Sequence, residues 1–280
     1  MLIIGELINS TRKPIERALI DQDEAYLRQI ARLQAENGAT VIDLNAATSL
    51  IRKREVEDTQ WLVDIVQDEL EKDFPQARLC IDTPNPEAMV AGLKRCRNRP
   101  FLNSVTNERN RQAMFDLVPE YDADVVALTM GKNGMPNTVA DRLDEAEALV
   151  EQFTARGVPY ERIYFDPIVM PVANRQEQIP IVSESIRQLK ARYPGVQTTC
   201  GLSNISFGLP HRFLVNRTYL TLLLDAGLDA AICDPTDHAL RDTVKACNAL
   251  LGKDAGCMQY VIYKKQQMKA EKTNKEKAKE

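Results

Sequence analysis

Short apolar runs alternate along the chain with longer segments whose apolar positions recur at helical spacing. The strand-like runs fall at 2–9, 40–45, 78–83, 101–105, 124–130, 162–167, 196–204 and 229–234. Helical patterns occupy 24–37, 55–72, 86–97, 109–120, 140–156, 176–193, 213–226 and 238–251. Eight β-then-α units predict a closed (β/α)8 TIM barrel of the α/β class. Gly38, Gly157 and Gly227 each follow a helical pattern, and Asn85–Pro86 places a capping residue before a first-turn proline. An open doubly wound sheet more often carries a GxGxxG turn after its first strand, and GELINSTRKP lacks one. No proline- or serine-rich linker divides the chain. The expected organisation is therefore one barrel domain over 1–263 and a charged tail over 264–280.

Four of the apolar runs carry a polar residue at or near their end. RLCIDT contains Asp82, FLNSV carries Asn103, RIYFDP ends on Asp166 and Pro167, and QTTCGLSN closes on Gly201, Ser203 and Asn204. Strand ends and the loops after them build the C-terminal rim, where a barrel of this type keeps its chemistry. Singly, each residue has an ordinary structural reading: Asp82 as a cap, Asn103 as a satisfied buried amide, Asp166 as a pre-proline residue. Together, on four different strands, they predict a site that reads a heterocycle by hydrogen bonds. Small residues such as Gly201 let a ligand approach the backbone.

Composition narrows the class. Apolar residues make up 44% and charged residues 27% of the 280, which is ordinary for a globular protein. A net charge of −4 gives no reason to expect nucleic acid. No run approaches the ~20 apolar residues that span a bilayer, and MLIIGELIN lacks the basic flank of a signal peptide. A cytoplasmic location is expected, with no membrane association. The six cysteines, Cys80, Cys96, Cys200, Cys233, Cys247 and Cys257, contain no CxxC pair, and with two histidines no metal site is expected. Seven lysines and three glutamates crowd 264–280, the composition of a solubilising extension or, less simply, of a docking segment for an acidic partner.

Further motifs occur in order: IIGELIN at the start, DLN at 43–45, LNS at 102–104, LTM at 128–130, FDP at 165–167, GLSN at 201–204, NRT at 216–218 and GLDAAI at 227–232. With them the chain, from Met1 to about Tyr263, resembles the methyltetrahydrofolate:corrinoid methyltransferase family. These are the pterin-binding barrels that include the folate domain of cobalamin-dependent methionine synthase. The resemblance implies that Asp82, Asn103 and Asp166 hold the pterin ring, with contacts from Gly201, Ser203 and Ile232. It places Asn204 beside the N-5 nitrogen that carries or receives the methyl group. Asn204 and Asp82 are thereby the catalytic candidates, and Glu6, Asp43 and Asn45 match the bottom of the same pocket.

The implied substrate is tetrahydrofolate or methyltetrahydrofolate. The other reactant is a corrinoid (cobalamin) on a separate partner protein, since no DxHxxG motif is present and the two histidines, His211 and His238, lack that spacing. A homodimer is also implied. The loop SFGLPHRF after Asn204 departs from better-known members, and His211 and Arg212 in it read as a solvated pair or as contacts to the corrinoid carrier. Three rivals stand beside methyl transfer. A dihydropteroate synthase would want positive charge where Cys233-Asp234-Pro235 ends the last strand. A non-catalytic folate-binding or corrinoid-docking protein would keep the ring contacts and dispense with Asn204. A metal-dependent hydrolase would need more histidine.

Overall fold

The computed structural model describes residues 1–47, 54–108, 111–131 and 134–277. Eight strands, β1 Leu2–Asn9, β2 Val41–Asn45, β3 Arg78–Asp82, β4 Phe101–Val105, β5 Asp124–Leu128, β6 Ile163–Asp166, β7 Gln197–Thr198 and β8 Ala230–Cys233, form one sheet. Every strand pair is parallel, in the order β7-β6-β5-β4-β3-β2-β1-β8. The two ends meet just beyond β7. Ile232 N donates to Cys200 O at 2.9 Å, Asp229 N to Thr198 O at 3.2 Å, and Gly201 bridges Ile232. Those contacts close the sheet into a (β/α)8 barrel.

Helices α1 Lys13–Asp21, α2 Glu24–Glu36, α3 Glu55–Leu70, α4 Pro86–Leu93, α5 Gln112–Glu120, α6 Val139–Ala155, α7 Gln178–Arg192, α8 Arg212–Ala226 and α9 His238–Leu250 surround it. A further helix, α10 Met258–Lys277, follows α9 and crosses residue 263 without a break. None of the helices described is long and apolar enough to cross a membrane.

Local sequence explains most boundaries. Asn85 accepts from Glu87 N and starts α4, and Thr138 and Asp141 form a reciprocal capping box at the start of α6. Two elements depart from the expected pattern. Helix α1 was hidden in the apparent turn after β1. Its buried Ile15, Ala18 and Leu19 recur at i, i+3 and i+4, and Pro14 sits in its first turn. The run at 196–204 is a strand only over Gln197–Thr198, because from Leu202 to Ser206 the chain coils into a 3-10 turn. Of the expected helix at 109–120, Arg109 and Asn110 lie outside the described residues.

Inside the barrel, Ile4, Val41, Cys80, Phe101, Val126 and Ala230 form a fully buried apolar cluster. Toward the N-terminal end of the strands the Arg78 guanidinium lies 4.5 Å from the Phe101 ring centre, pairs with Asp124, and Tyr164 packs edge-on to Phe101. One end of the barrel is thus filled. The other is left for chemistry.

Candidate active site at the barrel mouth

Side chains of a strand alternate between faces, so the residue two positions after an inward-facing one also faces inward. Above Ile4, Val41, Cys80, Phe101, Tyr164 and Ala230 stand Glu6, Asp43, Asp82, Asn103, Asp166 and Ile232. Asn45 is one further step along β2. Apart from Asn45, the strand residues expected at the site therefore share a single register, one layer above the apolar cluster.

Hydrogen bonds tie this layer into pairs. Asn45 Nδ2 donates to Asp82 Oδ2 at 3.0 Å, and Asn103 Nδ2 to Asp43 Oδ1 at 3.2 Å. Ser203 Oγ donates to Glu6 Oε1 at 2.8 Å, and Asp166 Oδ1 accepts from Ile168 N at 2.7 Å. Ser10 Oγ in turn donates to Asn45 Oδ1 at 2.7 Å. That bond fixes which end of the Asn45 amide faces Asp82.

Four carboxyl groups share the mouth, and burial raises the pKa of each. Asp166, only 7% exposed, rises to about 6, with the Ile168 and Gly201 N–H groups and the Arg142 charge opposing the shift. Burial, then the charge of Asp82, drives Asp43 well above the ordinary carboxylate range. Burial likewise raises Asp82 against the Asn45 amide, and Glu6 against the Ser203 hydroxyl. Desolvated carboxylates regain their lost hydration when a ligand offers N–H donors. The mouth therefore suits a ring rich in N–H groups, held by acceptors, with the carboxamide of Asn103 available for mixed contacts.

The strand ends are shaped for this. Between Gly5 and Ile8 the β1–β2 register slips by one residue, a bulge that leaves Leu7 N without a strand partner. Gln34 of α2, fully buried, accepts from that N–H at 2.9 Å. Gly5 must be glycine here, because a Cβ would overlap the Gln34 side chain. A second slip lies between Asn103 and Val105.

Asn204 sits apart from the ring. It is on the 3-10 turn after β7, exposed, and its side-chain amide makes no hydrogen bond among the described residues. Ser203 and Ile232 join the layer through Glu6 and through the Gly201 bridge. Arg212 is not a free loop residue: Nη2 donates to Ser203 O at 2.7 Å and Nε to Ser206 Oγ at 3.0 Å, so it braces the turn that carries Asn204. His211 is exposed beside it. Asp234, at the end of β8, caps its own turn by accepting from Thr236 N and Oγ1 at 2.9 and 2.6 Å. A cavity of about 680 Å³ opens elsewhere, between Asn107, Met135, Asp141 and Glu145, and no ring residue lines it.

Sequence reading missed the supports: Ser10, Gln34, Arg142 and Gln178. They lie on helices or loops outside the barrel, where a polar residue in an amphipathic pattern carries no mark of its target. Only a buried position in an otherwise apolar stripe, as at Gln34, offers a signal.

The chain is similar to known proteins over most of its length. Residues 5–234 match the family described as pterin binding enzyme. The methylcorrinoid:tetrahydrofolate methyltransferase of Eubacterium limosum is 36% identical over 265 residues, covering 93% of this chain and 94% of that protein. Methionine synthase of Mycobacterium leprae is 33% identical over 247 residues, covering 83% of this chain but 20% of that longer protein. Among solved structures, dihydropteroate synthase of Yersinia pestis superposes with a TM-score of 0.64 at 16% identity, over 91% of this chain and 94% of that one. The Thermus thermophilus dihydropteroate synthase gives 0.61 at 18%, over 90% and 92%. At those identities the last two show the shared barrel alone. The match across most of the chain places it in the pterin-binding enzyme family.

Proposed function

We propose that this protein moves a methyl group between the N-5 nitrogen of tetrahydrofolate and the cobalt of a corrinoid carried by a separate protein. The observation that carries the reading is the ring of acceptors, Asp82, Asp166 and the Asp43–Asn103 pair, buried or half-buried, with the Asn204 side chain making no hydrogen bond among the described residues at its edge. A 2-amino-4-oxo pyrimidine presents adjacent N–H donors and a carbonyl. Asp82 and Asp166 accept from the donors, and Asn103 serves either side. Glu6, Asp43 and Asn45 orient these groups from below. Gly201, Ser203 and Ile232 supply a flat wall of backbone and small side chains.

The chemistry follows from the leaving group. A methyl on a tertiary amine departs poorly unless the nitrogen is hydrogen-bonded or protonated as the C–N bond breaks. The free amide of Asn204 supplies a hydrogen bond that strengthens as charge changes at N-5, which is stabilisation of the transition state. In the other direction the N-5 amine attacks the methyl group, its proton leaves, and the cobalt keeps the bonding pair as Co(I). The same amide then holds the nitrogen lone pair in line.

Residues 1–263 act as the catalytic barrel and 264–280 as a charged extension. The corrinoid protein docks over the mouth, beside the SFGLPHRF loop. Phe213, Leu214 and Leu222 are exposed on α8 beside an apolar groove of about 270 Å³, which supports a homodimer through that face. All six cysteines are free, as suits a cytoplasmic protein.

The test is anaerobic mixing with methylcob(III)alamin and tetrahydrofolate, and separately with cob(I)alamin and methyltetrahydrofolate, following the corrinoid spectrum. Interconversion of methyl-Co(III) and Co(I) in either mixture supports methyl transfer. Folate binding without interconversion, even with corrinoid proteins supplied, would favour a binding module.

A further inference from the structure

Arg142 projects from α6 and is a charged side chain with 1% exposure. It forms no ion pair among the described residues, and its bonds go to backbone carbonyls. Nε donates to Pro167 O at 2.6 Å, Nη1 to Thr138 O at 2.9 Å, and Nη2 reaches Ile168 O at 3.5 Å. Two of these acceptors belong to the loop that follows β6 and Asp166.

That loop needs holding. Ile168 has φ +62°, a left-handed conformation that a β-branched side chain resists. In that conformation its N–H points back to Asp166 Oδ1 at 2.7 Å. Gln178 of α7, 3% exposed, grips the next stretch from the other side: Met170 N donates to its Oε1 at 2.8 Å and its Nε2 donates to Met170 O at 2.6 Å. Two buried polar side chains from neighbouring helices thus fix a strained turn. The consequence falls on Asp166, one of whose oxygens is engaged by the turn while the carboxylate is held at the mouth.

We infer that Arg142 is a positioning residue for Asp166: it clamps the turn at Pro167 and Ile168 so that the carboxylate is presented to the pterin in one orientation. This rests on the pterin-binding reading above. It accounts for a guanidinium that is buried yet has no carboxylate partner among the described residues, on the buried face of an outer helix. The groups around Asp166 are few. Arg142 faces it from α6, Tyr219 from α8 and Cys200 from beyond β7, and the last two are neutral acids whose pKa burial raises further.

Full-length protein is titrated with methyltetrahydrofolate between pH 5 and 8, as wild type, Asp166→Asn, Arg142→Lys, Arg142→Met and the double variant Arg142→Met/Ile168→Gly. Arg142→Met should raise Kd about tenfold or more, with kcat at saturating folate within about threefold of wild type. Its binding should also demand a higher pH, since the cation opposing Asp166 protonation is gone. Arg142→Lys keeps the charge and should lose less affinity with no shift in the pH midpoint. Glycine at 168 takes a positive φ without strain, so the double variant should recover part of the lost affinity.

Wild-type Kd and midpoint in a folded Arg142→Met, alongside lost binding in Asp166→Asn, would overturn this inference and leave the pterin reading standing. Should Arg142→Met not fold, Arg142→Lys decides, and wild-type Kd there would overturn the inference. No folate binding by the wild type would instead overturn the proposed function.

Discussion

The amide of Asn204 lies over the bare Cα of Gly201, so that a Cβ built there would stand 2.9 Å from Asn204 Nδ2. Gly201 has φ −70°, a value any residue adopts, so its lack of a side chain matters for space and not for backbone freedom. GLSN is therefore a coupled pair three residues apart, the glycine making room for the asparagine.

Gly201→Ala isolates that coupling. It should leave thermal stability within about 1 kcal/mol and displace the Asn204 amide, lowering kcat for methyl transfer. In an Asn204→Ala background the same change should cost little more, because its target is gone. Rates for the two single variants and the double variant check this, and additive losses would show that Gly201 acts independently.

Asn204→Ala itself should reduce kcat by about 10²-fold, the scale for removing one transition-state hydrogen-bond donor. The Kd for folate should change much less, since the ring contacts proposed above come from Asp82, Asn103 and Asp166. Parallel binding and single-turnover measurements separate the two quantities.

Asp166 ties stability to pH. Its folded pKa of about 6 lies above the unfolded carboxylate value of 3.8. The buried neutral acid is tolerated and its ionisation is not, so this contribution is intact below about pH 4 and is lost as pH rises through 6. Asp166→Asn keeps an oxygen for Ile168 N and cannot ionise. It should therefore gain at most about 3 kcal/mol over wild type at pH 8, with little difference at pH 4. Chemical denaturation of both proteins at the two pH values checks it, and an equal gap at both would exclude the titration as the cause.

Gln34→Leu removes the acceptor for Leu7 N in the β1 bulge. Leaving that buried N–H unpaired should cost about 1–3 kcal/mol, partly offset because Gln34 Nε2 itself has no partner. The bulge also sets the direction of Glu6, so Ser203 should lose its bond and folate affinity should fall with stability. Urea denaturation and folate titration together read both effects.

The repeating pattern of runs located all eight strands, and polar residues at the ends of apolar runs, Asp82, Asn103 and Asp166, pointed to the barrel mouth. Glu6, Asp43 and Asn45 came only from the family resemblance, and the structure adds the period-two relation that sets Glu6 above Ile4 and Asp82 above Cys80. What depends on three-dimensional packing did not show. The β7 run looks like a strand through Asn204 because its apolar residues continue, yet the turn bonds Asn204 N to Gly201 O and Phe207 N to Asn204 O coil it early. Arg142 in DRLDEAEA resembles any solvent-facing helical arginine, and only the packing of α6 beside β5 and α7 brings it to Pro167. Helix α1 was obscured by the turn-like residues Ser10, Thr11 and Pro14 around its start.

The most direct measurement follows an isotope-labelled methyl group from methylcob(III)alamin in the presence of tetrahydrofolate, wild-type protein and, in parallel, Asn204→Ala. Methyl transfer by this barrel should put label on N-5 of the folate with stoichiometric appearance of Co(I), and the variant should be much slower at nearly unchanged folate affinity. Label that stays on cobalt while wild-type protein binds folate, with free cobalamin and with corrinoid proteins alike, would contradict methyl transfer as the function of this barrel.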